Sequence, residues 1–243
     1  ARVTANTIWL HLFGTGLSPT PDNFGSQGQA PTHPALLDWL AHEFMNGGWS
    51  RKKLIRKIVS SRTYRQSSRH RPGLAALNPE NHLLHRQNRR RVEAEIIRDL
   101  HLSVAGLLAH RIGGPSVFPA IPPDVAAQSF ANNFQWKVSK GPDRYRRGMY
   151  TFFKRTAPAP NLLTFDCPDS NTSITRRNIS NTPLMALATL QNEVFHEAAR
   201  ALARRIQADT TLQSDKERVD QLYRLTLARR PSAAERAIVI KLL

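Results

Sequence analysis

Residues 90–110 read Arg90-Arg-Val-Glu-Ala-Glu-Ile-Ile-Arg-Asp-Leu-His-Leu-Ser-Val-Ala-Gly-Leu-Leu-Ala-His110. Val92, Ile96, Ile97, Leu100, Val104, Leu107 and Leu108 recur at steps of three and four, the period of a helix with one apolar stripe. The spacing predicts a long helix from about Arg90 to His110, closed by Gly113-Gly114-Pro115. Toward the N-terminus, Val3, Ile8, Trp9, Leu12 and Phe13 mark a first helix that Gly14-Thr-Gly16 stops. Residues 14–31 are rich in Gly, Pro and Asn and predict ordered turns. Thr32 is suited to cap the next helix, because its hydroxyl can accept from the exposed N–H groups of the first turn, and Pro34 to open it, because a missing donor costs nothing there. That helix carries Leu36, Leu37, Trp39, Leu40 and Phe44 and stops at Gly47-Gly48, with Trp9 and Trp39 expected in the core. Ser50 then caps a helix with Leu54, Ile55, Ile58 and Val59 as its buried stripe, and residues 68–79 read as loop.

Toward the C-terminus, residues 114–180 lose the period. Pro115, Pro119, Pro122 and Pro123 predict extended chain, and Met149-Tyr-Thr-Phe-Phe153 a short strand or a helical turn. Regularity returns at Thr182-Pro183, with Leu184, Leu187 and Leu190, then a break near Asn192 and a second stripe of Val194, Ala198, Leu202 and Ile206. Residues 215–228 form another helix, and Ser232 three places before Glu235 is a capping box for the last. The expected fold is mainly α: a multi-helix bundle with a long irregular Pro/Gly-rich insert, about 114–180, and few or no strands. The organisation expected is one helical domain over 1–243. A start without Met and an apolar run through Leu243 suggest a fragment of a longer multidomain chain.

The 243 residues contain 40% hydrophobic and 22% charged residues, enough for a packed core. Cys167 is the one cysteine, which excludes an internal disulfide, a Cys-based zinc finger and covalent c-type haem. No stretch approaches the roughly 18–20 apolar residues of a membrane span. The formal net charge is +17, carried by 27 Arg and 8 Lys. The guanidinium fork pairs bidentately with phosphate, sulfate or carboxylate, so the excess points to a polyanionic partner. Arg51, Lys52, Lys53, Arg56, Lys57, Arg62, Arg65, Arg69 and Arg71 form the densest cluster, and no Asp or Glu occurs from Phe44 to Pro79. A solvated surface is the plain alternative. Nucleic acid is the weaker partner, since no helix-turn-helix, zinc-finger spacing or aromatic strand motif accompanies the charge.

The polar stretch from Lys154-Arg155 through Asp166-Cys-Pro-Asp169 to Arg176-Arg177 offers an anion site at Lys154, Arg155, Arg176 and Arg177. Its two carboxylates could instead split their pKa values and act as acid and base, making Asp166 and Asp169 the catalytic alternative of a polysaccharide hydrolase. They could equally be struts tying an irregular loop to the helices. Trp136 is the ring best placed to be a surface platform for a sugar face. Cys167 lacks a neighbouring histidine and reads as a bland thiol, and His82, His85, His101 and His110 do not make a metal set.

Several stretches together resemble one family: Ile8-Trp-Leu-His-Leu-Phe-Gly-Thr-Gly-Leu17, Thr20-Pro-Asp-Asn-Phe-Gly25, His33-Pro-Ala-Leu-Leu-Asp-Trp-Leu-Ala41, Gly48-Trp49 and Thr63-Tyr-Arg-Gln-Ser67. Further on come Glu95-Ile-Ile-Arg-Asp99, Gly113-Gly-Pro-Ser-Val117, Tyr150-Thr-Phe-Phe-Lys-Arg-Thr-Ala-Pro158, Thr164-Phe-Asp-Cys-Pro-Asp169, Arg176-Arg177 and Asn181-Thr-Pro-Leu184. The chain resembles a domain of unknown function from large planctomycete proteins, commonly C-terminal to a companion domain and a cytochrome-c-like haem domain. Thr7 and Ser173 depart from it, where Arg and Cys are expected. The resemblance implies an exported, extracytoplasmic setting, with no cofactor in this chain and any haem in a separate domain. It carries over no catalytic residue. The expectation is a non-enzymatic binding or scaffold module whose Arg-rich surface, including Arg51, Lys52 and Arg56, holds an acidic or sulfated polysaccharide or an acidic partner domain.

Overall fold

The computed structural model describes residues 1–122 and 135–242. Pro123, Phe134 and Leu243, each part of a stretch read above, lie outside the described residues. Among the described residues the protein is helical, and its only β-type pairings are the isolated bridges Ala109 to Arg146 and Val117 to Thr151. No described helix is long and apolar enough to cross a membrane. The chain divides into two compact units, Ala1–Arg91 with Ile174–Arg176, and Val92–Ser173 with Arg177–Leu243.

The first unit contains α1 (Arg2–Phe13), α2 (Pro34–Asn46), α3 (Arg51–Val59) and the short α4 (Pro72–Leu77). Ala5, Ile8, Trp9 and Phe13 of α1 meet Leu37, Leu40 and Phe44 of α2 and Leu54 and Ile58 of α3 in one cluster. Burying each large side chain is worth roughly 1.5–3 kcal/mol, so this cluster holds the three helices together. Trp9 stacks on Phe13 with centroids 4.2 Å apart. The buried Asn6 amide donates to the Ser18 carbonyl (3.0 Å) and accepts from the Ser18 N–H (2.9 Å), so the turn-rich loop is pinned onto α1.

Three expectations are corrected in this unit. Thr32 does not cap α2: its hydroxyl donates to the Leu17 carbonyl, and His33 takes the cap position with no side-chain bond. Pro72 opens α4 inside a stretch read as loop, a helix of six residues with none buried and so no apolar period to announce it. Trp39, expected in the core, is 47% exposed, because Leu37 and Leu40 occupy the inward face of α2 and turn its ring outward.

The second unit contains α5 (Ala94–Ala105), α6 (Pro160–Thr164), α7 (Pro183–Gln191), α8 (Glu193–Gln207), α9 (Asp215–Leu227) and α10 (Ala233–Leu242), with 3-10 turns at Gly141–Tyr145 and Gly148–Tyr150. Its main cluster joins Ala94 and Ile97 of α5 to Leu162, Phe165, Met185 and Phe195. α5 is shorter at both ends than the apolar spacing predicts. Gly106 closes it at φ 76°, a left-handed conformation that glycine adopts without a Cβ penalty. Residues beyond it leave the helix, and the Ala109 N–H donates to the Tyr145 carbonyl. Val92 and Leu100, two members of the expected stripe, are exposed. On α7 the stripe is also turned around: Leu184, Leu187 and Leu190 face out and Met185 is buried.

The described part of the insert is irregular yet fastened. The Val117 N–H donates to Tyr150 O and the Phe152 N–H to Val117 O, each at 2.8 Å. Gly148 touches α5 directly, and a Cβ built there would stand 2.3 Å from the Glu95 carbonyl oxygen. The buried Gly148 N–H donates to Asp99 Oδ1 at 2.6 Å, while Arg147 Nε donates to Asp99 Oδ2 at 2.7 Å.

Candidate functional site

Over residues 1–91 the sequence has fourteen Lys and Arg against four Asp and Glu, which makes this part the more positive per residue. α3 organises that excess. The Ser50 hydroxyl accepts from the Lys53 N–H and starts the helix, and Leu54 and Ile58 are its buried residues. At 100° per residue, Lys52 and Arg56 then point away from the core with Lys53 to one side, while Arg51 continues the Leu54–Ile58 face at the open N-terminal end of the helix. All four are exposed.

Two features of α3 are electrostatically unfavourable. Arg51, Lys52 and Lys53 occupy its first turn, which holds no acidic residue, although the N-terminal end of a helix favours negative charge. Lys52 and Arg56, four residues apart, repel each other. The first costs about 0.3–1 kcal/mol for each charge and the second about 0.2–0.5 kcal/mol at low salt. Among the described residues, none of Arg51, Lys52, Lys53, Arg56, Arg62 or Arg65 has a carboxylate within salt-bridging distance; Lys57 alone on α3 does, with Glu43.

In the second unit many cations are paired, although Arg200, Arg204 and Arg224 are exposed without a carboxylate partner among the described residues. Arg144 donates to both Glu197 oxygens and to Glu193, Arg147 pairs with Asp99, Arg218 with Asp215, Arg229 with Glu235 and Arg236 with Asp220. Burial alone would raise the Glu197 carboxyl, but the hydrogen bonds from Arg144 and Tyr145 hold it below the ordinary carboxylate range. Arg98 and Arg146 are buried and serve backbone carbonyls: Arg98 donates to Arg144 O and Arg146 O, and Arg146 to Pro115 O and Gly113 O. Burial pulls the Arg98 guanidinium down to about 10, partly offset by Asp99 and Glu197. Sequence inspection missed both as structural residues, because their partners are loop carbonyls tens of positions away.

The residues singled out in the polar stretch are dispersed among several tasks. Arg177 makes a bidentate pair with Glu95 (2.7 and 3.1 Å), whereas its neighbour Arg176 is exposed and groups with the first unit. Lys154 is half-buried and Arg155 exposed, in a turn closed by the Ala157 N–H on Lys154 O. Trp136 is half-buried: its ring meets Phe118 edge-on at 5.2 Å, and its indole N–H donates to Pro119 O. Asp166 accepts from the Ser180 N–H (2.7 Å) and hydroxyl, and Asp169 accepts from the backbone and side chain of Asn171. The two Asn171 hydrogen bonds also hold the Asp169 carboxyl below its ordinary value. Both carboxylates therefore fasten local chain.

Cys167 Sγ lies 3.7 Å from Glu95 Oε1, and burial, then the Glu95 charge, pushes its thiol up to about 11. A thiol with so high a pKa stays protonated at neutral pH and is a poor nucleophile. Iodoacetamide at pH 7.5 is expected to leave Cys167 unmodified in the folded protein and to label it promptly in denaturant. Labelling at comparable rates in both states would contradict this environment.

The fold and its surface define a class: among the described residues, a helical, strongly basic protein whose helix α3 presents several exposed cations without a carboxylate partner. The chain belongs to the PSD1 family, a protein of unknown function (DUF1553), which matches residues 1–243. No curated protein and no solved structure matches it.

Proposed function

We propose that this chain is a non-enzymatic binding module for an acidic or sulfated polysaccharide, gripped through the exposed cations of α3 and the basic segment that follows it. The observation that carries this reading is the unpaired state of Arg51, Lys52, Lys53 and Arg56. A solvated but purposeless surface would gain stability from acidic residues in the first turn of α3, and none occurs there. The resemblance to domains of exported planctomycete proteins supports an extracytoplasmic setting in a larger chain, with any haem in a separate domain.

The test is a salt titration of binding to heparin and to polygalacturonate. Each cation engaged releases a counterion, so affinity falls steeply with salt. Three engaged cations correspond to a loss of about 40-fold between about 50 and 200 mM salt by the slope for duplex DNA. Affinity that holds constant over that range, or binding to DNA that exceeds binding to both saccharides, would overturn the proposal.

A further inference from the structure

A hollow of about 310 Å³ opens beside α3, within the first unit. This is the lower end of the size range of small-ligand sites. Trp9, Leu40, Ile58 and Leu84 supply an apolar lining, and Ser61 and Thr63 add hydroxyls. Trp39 forms part of its wall with nearly half of its surface open to solvent. Lys57, on the same helix as the cationic face, reaches over the Trp39 ring with its ammonium 5.1 Å from the ring centroid. That ammonium also donates to Glu43 Oε2.

From these groups we infer that the hollow is a subsite for one pyranose ring of the polysaccharide, an inference that rests on the function proposed above. A pyranose has a face of C–H groups and a rim of hydroxyls. An indole ring is a large, rigid apolar surface suited to the face. Among the lining residues Lys57 offers donors to the sugar hydroxyls, and His33, Ser61 and Thr63 each offer donor and acceptor functions. The acidic substituents of the sugar chain would meet Lys57 at the hollow and Lys52, Lys53 and Arg56 along the same helix, the last three having no carboxylate partner among the described residues. α2 thus carries the contact for shape, through Trp39, and α3 the contact for charge.

The experiment is calorimetric titration of the 243-residue chain with hexagalacturonate, linear inorganic polyphosphate and single-stranded DNA of matched charge, for the wild type, Trp39→Ala and Trp39→Phe. Trp39 is half-exposed, so both variants keep the fold, and equal thermal midpoints verify that. The expected result is about a tenfold weaker hexagalacturonate affinity for Trp39→Ala, mostly recovered in Trp39→Phe, with polyphosphate affinity unchanged within about twofold. If Trp39→Ala affects neither polymer, or both alike, the sugar subsite is overturned while the polyanion function stands. If the loss appears for single-stranded DNA instead, base stacking replaces the sugar. A wild type that binds none of the three overturns the function and the subsite together.

Discussion

Gly148→Ala is expected to destabilise the protein by about 3 kcal/mol or more, read as a lower midpoint in urea unfolding. The added methyl would stand 2.3 Å from the Glu95 carbonyl oxygen and 2.7 Å from its Cα. These are backbone atoms in the first turn of α5, so no side chain can swing aside to relieve the clash. Overpacking a site that yields typically costs about 1–3 kcal/mol, and one walled by backbone sits at or above the top of that range. Any shift of residue 148 also loosens its buried N–H from Asp99 Oδ1, and an unpaired buried donor costs a further 1–3 kcal/mol or so. Gly73→Ala is the internal comparison. No atom would lie within 4 Å of the new Cβ in α4, so that change is expected to be neutral or slightly stabilising, by less than about 1 kcal/mol. Equal effects of the two substitutions would show that α5 does not rest on the 148 turn.

The largest effect on binding is expected from the triple variant Arg51→Glu, Lys52→Glu, Arg56→Glu. Each reversal removes an attraction for a polyanion and installs a repulsion, so affinity for heparin or polygalacturonate should fall at least about 100-fold at low salt. Stability should move the other way. Glutamates at positions 51 and 52 would complement the positive end of α3, gaining about 0.3–1 kcal/mol each where the cations now work against it. Lost binding with equal or higher stability distinguishes a binding surface from a structural one. The same change in net charge made on exposed arginines of the second unit, Arg200→Glu with Arg204→Glu and Arg224→Glu, controls for long-range attraction. If it weakens binding as much, the polyanion is held by the molecule's overall charge and α3 has no special part.

Most of the fold follows from local rules that the sequence displays openly. Ser50 and the Ser232–Glu235 box start their helices where side-chain chemistry says they should, and Asn192 caps α8 with its Oδ1 on the Val194 N–H. Errors arose where a tertiary partner outweighed the period. The stripe through Val92 and Leu108 is continuous in sequence, but Gly106 ends α5, the Leu107 and Leu108 N–H groups fold back onto Leu102 O, and Ala109 pairs with the 145–146 segment instead. Leu184, Leu187 and Leu190 keep a helical spacing and still face outward, because period fixes which residues share a face and says nothing of which face is inward. The candidate site divides along the same line. The exposure of Lys52 and Arg56 follows from Leu54 and Ile58 being buried four apart on a short helix, and that of Arg51 from its place at the first position of the helix. The fate of Arg177 depends on Glu95, 82 positions away, and no local pattern records that pairing.

The first turn of α3 sets three like charges at the end of a helix that already repels them, and Leu54 and Ile58 hold that arrangement down. Such a helix is locally frustrated, and the proposed polyanion would relieve it from outside the chain. Laid along the helix it would act as a counter-electrode, tightening the turn it touches and making the bound form the more rigid one. Under that proposal occupancy and firmness of this helix would rise together, the ligand completing the part of the fold that holds it.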